Sequence, residues 1–290
     1  MMGFEPLIPE SLDECLGMLA RYGNDARVVA GGTDLFILMK TRMTTPRFVI
    51  PLGRIESLKT ASRRDGAFSL GAGLTHSQIA QLGLLEDIRC LRDAARSVGS
   101  PQIRNAGTAG GNLANASPAA DLYPPLLALG ARLEILRHGG KRTVGLDEFV
   151  KGPGMTVLMP GELIGSIVFQ KPEEPFVARH EKVGLRNALA VSVTSAAVVV
   201  TAGSGKFRKV TVACGAVAPT SIRMRQVEKL VEGEVPSEEL LAEAARVASS
   251  ECDPITDIRA TGQYRRRVTG VIVSRLLRQA ARELLGYGEA

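Results

Sequence analysis

The amino-acid sequence predicts an α+β protein of two domains: an N-terminal unit mixing short strands and helices, then a smaller unit of antiparallel strands backed by helices. Three observations carry this reading. The 290 residues correspond to roughly two domains at about 150 residues each. Lys171-Pro172-Glu173-Glu174-Pro175 is charged and proline-bearing, the composition of a linker. Beyond it, β-rich runs precede helical runs, the order expected of an α+β domain. The boundaries fall at 1–172 and 176–288.

Along the chain, Ser11 and Glu14 have capping-box spacing. Leu12, Cys15, Leu16, Leu19 and Ala20 share one helical face, and Gly23 closes that helix. The β-rich run Arg27 to Ala30 enters Gly31-Gly32-Thr33-Asp34, and Leu35 to Met39 continues as a helix. Phe48 to Ile50 and Phe68 to Leu70 read as strands. Thr75 and Gln78 form another capping box, and a further helix spans about Asp87 to Val98. From Gly99 to Pro118 periodicity disappears; so long a loop between ordered elements is usually functional. A helical run resumes after Asp121. Arg132–Arg137 and Arg142–Val144 make a hairpin around Gly139-Gly140, and Leu163–Phe169 another strand. Past the linker, strands are predicted over Val177–Val183, Leu189–Val200 and Lys209–Val217, with Gly203-Ser204-Gly205 as a turn. Helices follow, one capped by Ser237 and a longer one over Tyr264–Leu285.

At 45% hydrophobic and 23% charged residues the chain can bury substantial cores, so wholesale disorder is excluded. The net charge of +6 is modest, and residues 221–290 carry 11 basic and 11 acidic side chains, so there is no basic tail. With 4% aromatics and no Trp, few platforms exist for stacking bases, which argues against a nucleic-acid partner. Cys15, Cys90, Cys214 and Cys252 include no CxxC pair and read as buried thiols, against iron–sulfur ligation by this chain. The first residues, with Glu5, Glu10, Asp13 and Glu14, lack the basic start of a secretory signal, and cytoplasmic localisation is expected. The apolar stretch Ala188–Ala202 is short for a span and interrupted by hydroxyl side chains, so no membrane span is expected.

Two glycine-pair loops carry the chemistry, Ala30-Gly31-Gly32-Thr33-Asp34 and Thr108-Ala109-Gly110-Gly111-Asn112. Backbone N–H groups unobstructed by Cβ atoms form anion nests suited to a phosphate. A single Gly-Gly pair is adequately explained as a turn, and neither loop has a Walker or Gly-x-Gly-x-x-Gly pattern. Two such loops favour a dinucleotide, whose pyrophosphate takes donors from two sides. Asp121 suits a helix N-terminus, and Lys182 is either a counter-charge for an anionic ligand or a solvated edge lysine. His76, His138 and His180 lack metal-like spacing and suit surface or capping roles. Arg265-Arg266-Arg267 reads as a solvated face or an inter-subunit patch rather than a nucleic-acid site, and no nucleophilic triad is evident, so no catalytic side chain is assigned.

At these residues the sequence resembles a known family. Ala30-Gly31-Gly32-Thr33-Asp34-Leu35 with Lys40, then Thr108-Ala109-Gly110-Gly111-Asn112 and Ala116-Ser117-Pro118-Ala119-Ala120-Asp121, are similar to motifs of the FAD-binding medium subunits of molybdenum hydroxylases, the xanthine dehydrogenase and carbon monoxide dehydrogenase group. Pro160-Gly161-Glu162-Leu163-Ile164, Cys214 to Thr220, Asp257-Ile258-Arg259-Ala260 and Tyr264-Arg265-Arg266 extend the likeness over nearly the whole chain. The resemblance implies a two-lobed FAD-binding domain of the vanillyl-alcohol-oxidase type, with lobes of about 1–55 and 56–172, before the C-terminal domain. By position it implies cofactor contacts from Val29, Ala30, Gly31, Gly32, Thr33, Asp34 and Leu35, from Thr108, Gly110, Gly111 and Asn112, and from Ser117, Asp121, Ile164 and Lys182. It further implies an oxidoreductase subunit, incomplete alone. A small partner would carry iron–sulfur clusters and a large one the molybdenum cofactor, with electrons reaching FAD and then NAD⁺ or another acceptor. A self-contained flavin oxidoreductase and a non-redox nucleotide-binding assembly module remain the alternatives.

Overall fold

The computed structural model describes residues 3–186 and 189–288; Met1, Met2, Asn187 and Ala188 of the ranges above lie outside them. A small sheet opens the chain: β1 (Glu5–Pro6), β2 (Ala26–Val29) and β3 (Phe48–Pro51), in the order β1-β3-β2 with both pairs parallel. Between them lie α1 (Leu12–Tyr22) and α2 (Leu35–Lys40). Ser11 Oγ accepts the Glu14 N–H at 3.1 Å, and Gly23 closes α1 at φ 49°. The reciprocal half of the expected box reaches one residue farther back, Glu14 Oε2 accepting from Glu10 N–H at 2.7 Å.

Next comes a five-stranded antiparallel sheet in the order β4-β5-β10-β6-β7. Its first strands are β4 (Ala61–Arg64) and β5 (Ala67–Gly71), followed by α3 (His76–Gln81), α4 (Arg89–Ser97), α5 (Pro101–Ala106), α6 (Ala109–Ala114) and α7 (Tyr123–Ala128). The hairpin β6 (Arg132–Arg137) and β7 (Gly140–Gly145) leads into α8 (Leu146–Phe149), a small ladder of β8 (Val150–Gly152) and β9 (Met155–Thr156), and β10 (Leu163–Gln170). Thr75 caps α3 with both halves of the box formed. The segment 99–118, expected as one loop, instead contains two six-residue helices. Ser100 Oγ caps Ile103 N–H with Pro101 in the first turn of α5, and Thr108 Oγ1 caps Gly111 N–H of α6. Each is too short to show apolar periodicity, so only the caps betray it.

The third sheet is β11 (Phe176–Val183), β12 (Thr194–Gly203), β13 (Lys206–Gly215) and β14 (Ile222–Arg223), antiparallel throughout. Helices α9 (Arg225–Val231), α10 (Glu238–Glu251) and α11 (Gly262–Leu285) complete the chain. The sheet has four strands rather than the three expected, and β12 starts at Thr194, not Leu189. Helices cover it on both faces. Ala196, Val198 and Val200 pack with α10 and α11, whereas Ala197 and Val199 join the core of the N-terminal unit with α4 and α7. A strand covered on both sides needs no alternation, which is why Thr194 to Ala202 are all buried.

All four cysteines are free and buried. Burial pushes Cys15 and Cys252 up to about 11 and Cys90 to about 12, so each remains a thiol at neutral pH. Two sequence expectations are corrected. His76 and the imidazole of His180 are buried rather than at the surface. Arg265 is 3% exposed and is not part of a solvated face: it donates to the Val193 carbonyl at 2.5 Å and to Asp257 Oδ1 at 2.8 Å. Among the described residues no helix is long and apolar enough to cross a membrane.

Candidate functional site

A cavity of about 440 Å³ lies between the end of β2 with α2 on one side and the segment from α5 to Asp121 on the other, with the stretch before β12 at its edge. Val29 through Leu35 form one wall, Thr108, Gly111, Asn112, Ser117 and Asp121 the opposite one, and Leu189, Ala190 and Val191 part of its rim. Twelve of the fifteen residues singled out from sequence thus converge on one space, although 73 positions separate Leu35 from Thr108.

The two walls differ in what they offer. Among the described residues, none of the N–H groups of Gly31, Gly32, Thr33, Asp34 and Leu35 has a protein acceptor. Five consecutive unclaimed donors at a cavity wall form a nest for an anion. Gly31 is required by a close approach, since a Cβ there would fall 2.0 Å from the Ala106 carbonyl oxygen and 2.9 Å from Gly107 Cα. Gly32 has φ +69°, and a Cβ would collide with the Phe36 ring at 2.4 Å. These glycines let the first loop turn sharply and rest directly on the end of α5.

The second loop is different, and the expectation that its amides also stand free is corrected. Ala109 N–H donates to the Leu74 carbonyl at 2.9 Å, Gly110 N–H to the Ala72 carbonyl at 2.8 Å and Asn112 N–H to the Thr108 carbonyl at 2.9 Å. Gly111 N–H is held by Thr108 Oγ1 at 3.1 Å. These bonds satisfy the amides that begin a helix, so this wall contributes side chains and shape. A Cβ at Gly110 would lie 2.6 Å from that of Ala72, whereas one at Gly111 would meet only Thr108 Oγ1, at 3.1 Å. Gly110 serves packing against the turn after β5; Gly111 keeps the cavity open.

Asp121 sits at the deep end, 7% exposed. It does not open a helix, since α7 begins at Tyr123 with Leu122 as its cap. Its Oδ2 accepts from Lys182 Nζ at 2.7 Å and its Oδ1 from Ser192 Oγ at 2.6 Å. Burial raises the Asp121 pKa, while the Lys182 ammonium and the Ser192 hydroxyl pull it back down. Lys182 also donates to the Ser97 carbonyl at 2.9 Å, so both charges are paired and bonded out of water. Lys182 therefore is not a solvated edge charge. It lines a smaller neighbouring cavity with Ser97, Val183, Gly184 and Arg186, rather than the main one. Ser117 lines the main cavity and accepts Ala119 N–H at 3.3 Å. Ile164 does not line it; the residue is 3% exposed, faces Ile135 across the β10–β6 ladder and belongs to the core.

Sequence reasoning missed several lining residues, among them His76, Val98, Gly99, Ile103 and Gly107. For His76 the only signal was its place directly after the capping Thr75. For the others it was the loss of periodicity after Val98.

The cavity suits a flavin dinucleotide: one wall is a row of unclaimed amides, and the other presents Asn112 Oδ1, a buried polar atom without a partner among the described residues. Residues 2–171 match the family described as "FAD binding domain in molybdopterin dehydrogenase", and residues 179–280 match "CO dehydrogenase flavoprotein C-terminal domain". The chain is 30% identical over 285 residues to the 6-hydroxypseudooxynicotine dehydrogenase complex subunit alpha of Paenarthrobacter nicotinovorans, covering 96% of this chain and 94% of that one. It is 30% identical over 273 residues to the carbon monoxide dehydrogenase medium chain of Afipia carboxidovorans, covering 94% of each. The solved structure of a Cu,Mo-CO dehydrogenase contains a chain that superposes with a TM-score of 0.92 at 29% identity, covering 96% of this chain and 98% of that one. The chain thus belongs to the family of FAD-binding medium subunits of molybdenum-containing dehydrogenases.

Proposed function

We propose that this chain is the electron-transfer flavoprotein of a multi-subunit molybdenum hydroxylase, taking electrons from iron–sulfur clusters on a small partner and delivering them to NAD⁺ or another acceptor. A large partner would hold the molybdenum cofactor and the substrate. The observation that carries the reading is the row of five unclaimed N–H groups from Gly31 to Leu35, facing Thr108, Asn112, Ser117 and Asp121 across one cavity. When bound, FAD supplies a carrier that exchanges electrons singly or in pairs.

The chain's own residues do the holding. Gly31 to Leu35 would donate to the pyrophosphate from one side, and the Thr108 hydroxyl and Asn112 carboxamide would meet it from the other. Ser117 and Asp121 would meet the ribityl chain or flavin. Gly110, Ile164 and Lys182 act from behind the wall: Gly110 by letting α6 approach Ala72, Ile164 through the core of β10, and Lys182 by fixing the Asp121 carboxylate.

The test is a visible absorption spectrum of the purified chain, alone and after incubation with FAD or FMN, with chromatography of any cofactor released on denaturation. Retained or captured FAD, and its reduction by an organic substrate only when the partner subunits are supplied, is the expected result. Rapid reduction by an organic substrate without partners would indicate a self-contained oxidoreductase. A bound nucleotide lacking a flavin spectrum, even after co-expression with partners, would indicate a non-redox module.

A further inference from the structure

Among the described residues lining the cavity, His76 is, with Asn112, one whose polar chemistry the fold leaves unused. It opens α3, is 3% exposed, and its backbone N–H donates to the Gly107 carbonyl at 3.1 Å. The Cδ2–Nε2 edge of its ring lies against the bare face of Gly107, where a Cβ would stand 3.1 and 3.3 Å from those atoms. Gly31 rests on the Ala106–Gly107 peptide, with Ala106 the nearer of the two. The imidazole therefore sits at the seam between the two glycine loops.

Nδ1 is sealed from solvent with no partner among the described residues, which leaves Nε2 as the nitrogen the ring can present to the cavity. Burial, and after it the charge of Arg104, lowers the His76 pKa to about 4, so the ring is neutral at pH 7 and carries one proton. A proton on Nδ1 would be stranded without an acceptor, whereas on Nε2 it can be donated into the cavity. If the ring merely filled space, Phe or Leu would do so without burying an unsatisfied nitrogen.

We propose that His76 is a flavin-binding residue whose Nε2–H donates to the pyrophosphate of FAD at the junction of the two glycine loops. This rests on the FAD reading of the cavity. The donor is uncharged and completes, from the α3 side, the ring of backbone donors that Gly31 to Leu35 supply from the other.

The test titrates the full chain, freed of flavin, with FAD, ADP and riboflavin, comparing wild type with His76→Phe, His76→Gln and His76→Asn. His76→Phe is expected to weaken FAD and ADP by about 10-fold or more, the loss of one hydrogen bond to a charged group, while riboflavin, which lacks phosphate, is unaffected. His76→Gln, whose amide nitrogen falls near Nε2, should recover part of the loss, and His76→Asn, whose amide falls near Nδ1, should not. If His76→Phe melts below the assay temperature without ligand, the Gln and Asn variants decide: equal affinities overturn the proposal. It is also overturned if His76→Phe binds FAD and ADP like wild type, or if riboflavin weakens equally, which marks a packing role. Failure of wild type to take up any flavin overturns the FAD reading itself, a separate result.

Discussion

Gly110 and Gly111 are neighbours of the same type in one short helix, yet the space around them assigns them opposite tasks. A Cβ at Gly110 collides with Ala72, whereas one at Gly111 projects beside Thr108 into the cavity wall. Gly110→Val should therefore lower stability by about 1–3 kcal/mol, the range for overpacking. Gly111→Val should leave thermal unfolding of the flavin-free chain close to wild type while abolishing FAD uptake. Thermal melts paired with flavin titration separate the two. The histidines give a second prediction at this scale. His76 and His180 titrate at about 4 and about 3 in the fold, against 6.5 when unfolded, because burial penalises the imidazolium. Below pH 6.5 the unfolded chain takes up protons that the native chain refuses, so their stabilisation is complete above pH 6.5 and lost as pH falls towards 4. In denaturant titrations of the flavin-free protein, the midpoint should drop across that window, and His180→Gln should flatten the drop. The amino-acid sequence shows three histidines without metal spacing; it does not show which are buried, because burial comes from the partners that surround each ring.

At the level of elements, α11 shows how a helix separates adjacent identical residues. Arg265, Arg266 and Arg267 point roughly 100° apart around the axis, so one turns inward while its two neighbours stay exposed. Arg265 Nη1 donates to the Val193 and Ala216 carbonyls and Nη2 to Asp257, tying α11 to the segments before β12 and after β13. Asp257 is held down to about 2, first by the Arg259 backbone N–H and then by Arg265. Arg265→Met preserves volume but leaves both carbonyls without this donor. A loss of about 1–3 kcal/mol is expected by chemical unfolding, with little change for Arg267→Met. Most elements were legible in sequence because their signals are local. Ser11, Thr75 and Ser237 cap the helices they announce, and the turn at Ser204-Gly205 has φ of 55° and 74°, as a two-residue hairpin requires. Helices α5 and α6 were not legible, since six residues cannot display a helical period.

Across the whole molecule, the contact that most directly couples the two units to the cavity is Lys182 with Asp121 and Ser97. Lys182 belongs to β11 of the C-terminal sheet; its partners belong to the N-terminal unit. Removing one member strands the other, so Lys182→Met should destabilise the flavin-free protein by about 3–5 kcal/mol. The double substitution Lys182→Met, Asp121→Asn should recover part of that, read as a coupling energy in a double-mutant cycle. If the two single effects simply add, the pair does not join the units. The core reinforces this joint, because Ala178, Ala197, Val199 and Ala213 pack with the N-terminal helices rather than their own.

The amino-acid sequence by itself determined the α+β class, most strand and helix positions, and the two glycine loops, since caps, turns and periodicity act over a few residues. Only the tertiary structure decided what each loop does. The first keeps its amides free because Gly31 and Gly32 let it turn onto Ala106, while the second uses its own to begin α6. It also decided that Asp121 meets Lys182, that Ile164 lies in the core and that His76 reaches the cavity. These are contacts across tens of residues, and their energies depend on burial and on neighbours that no local pattern encodes.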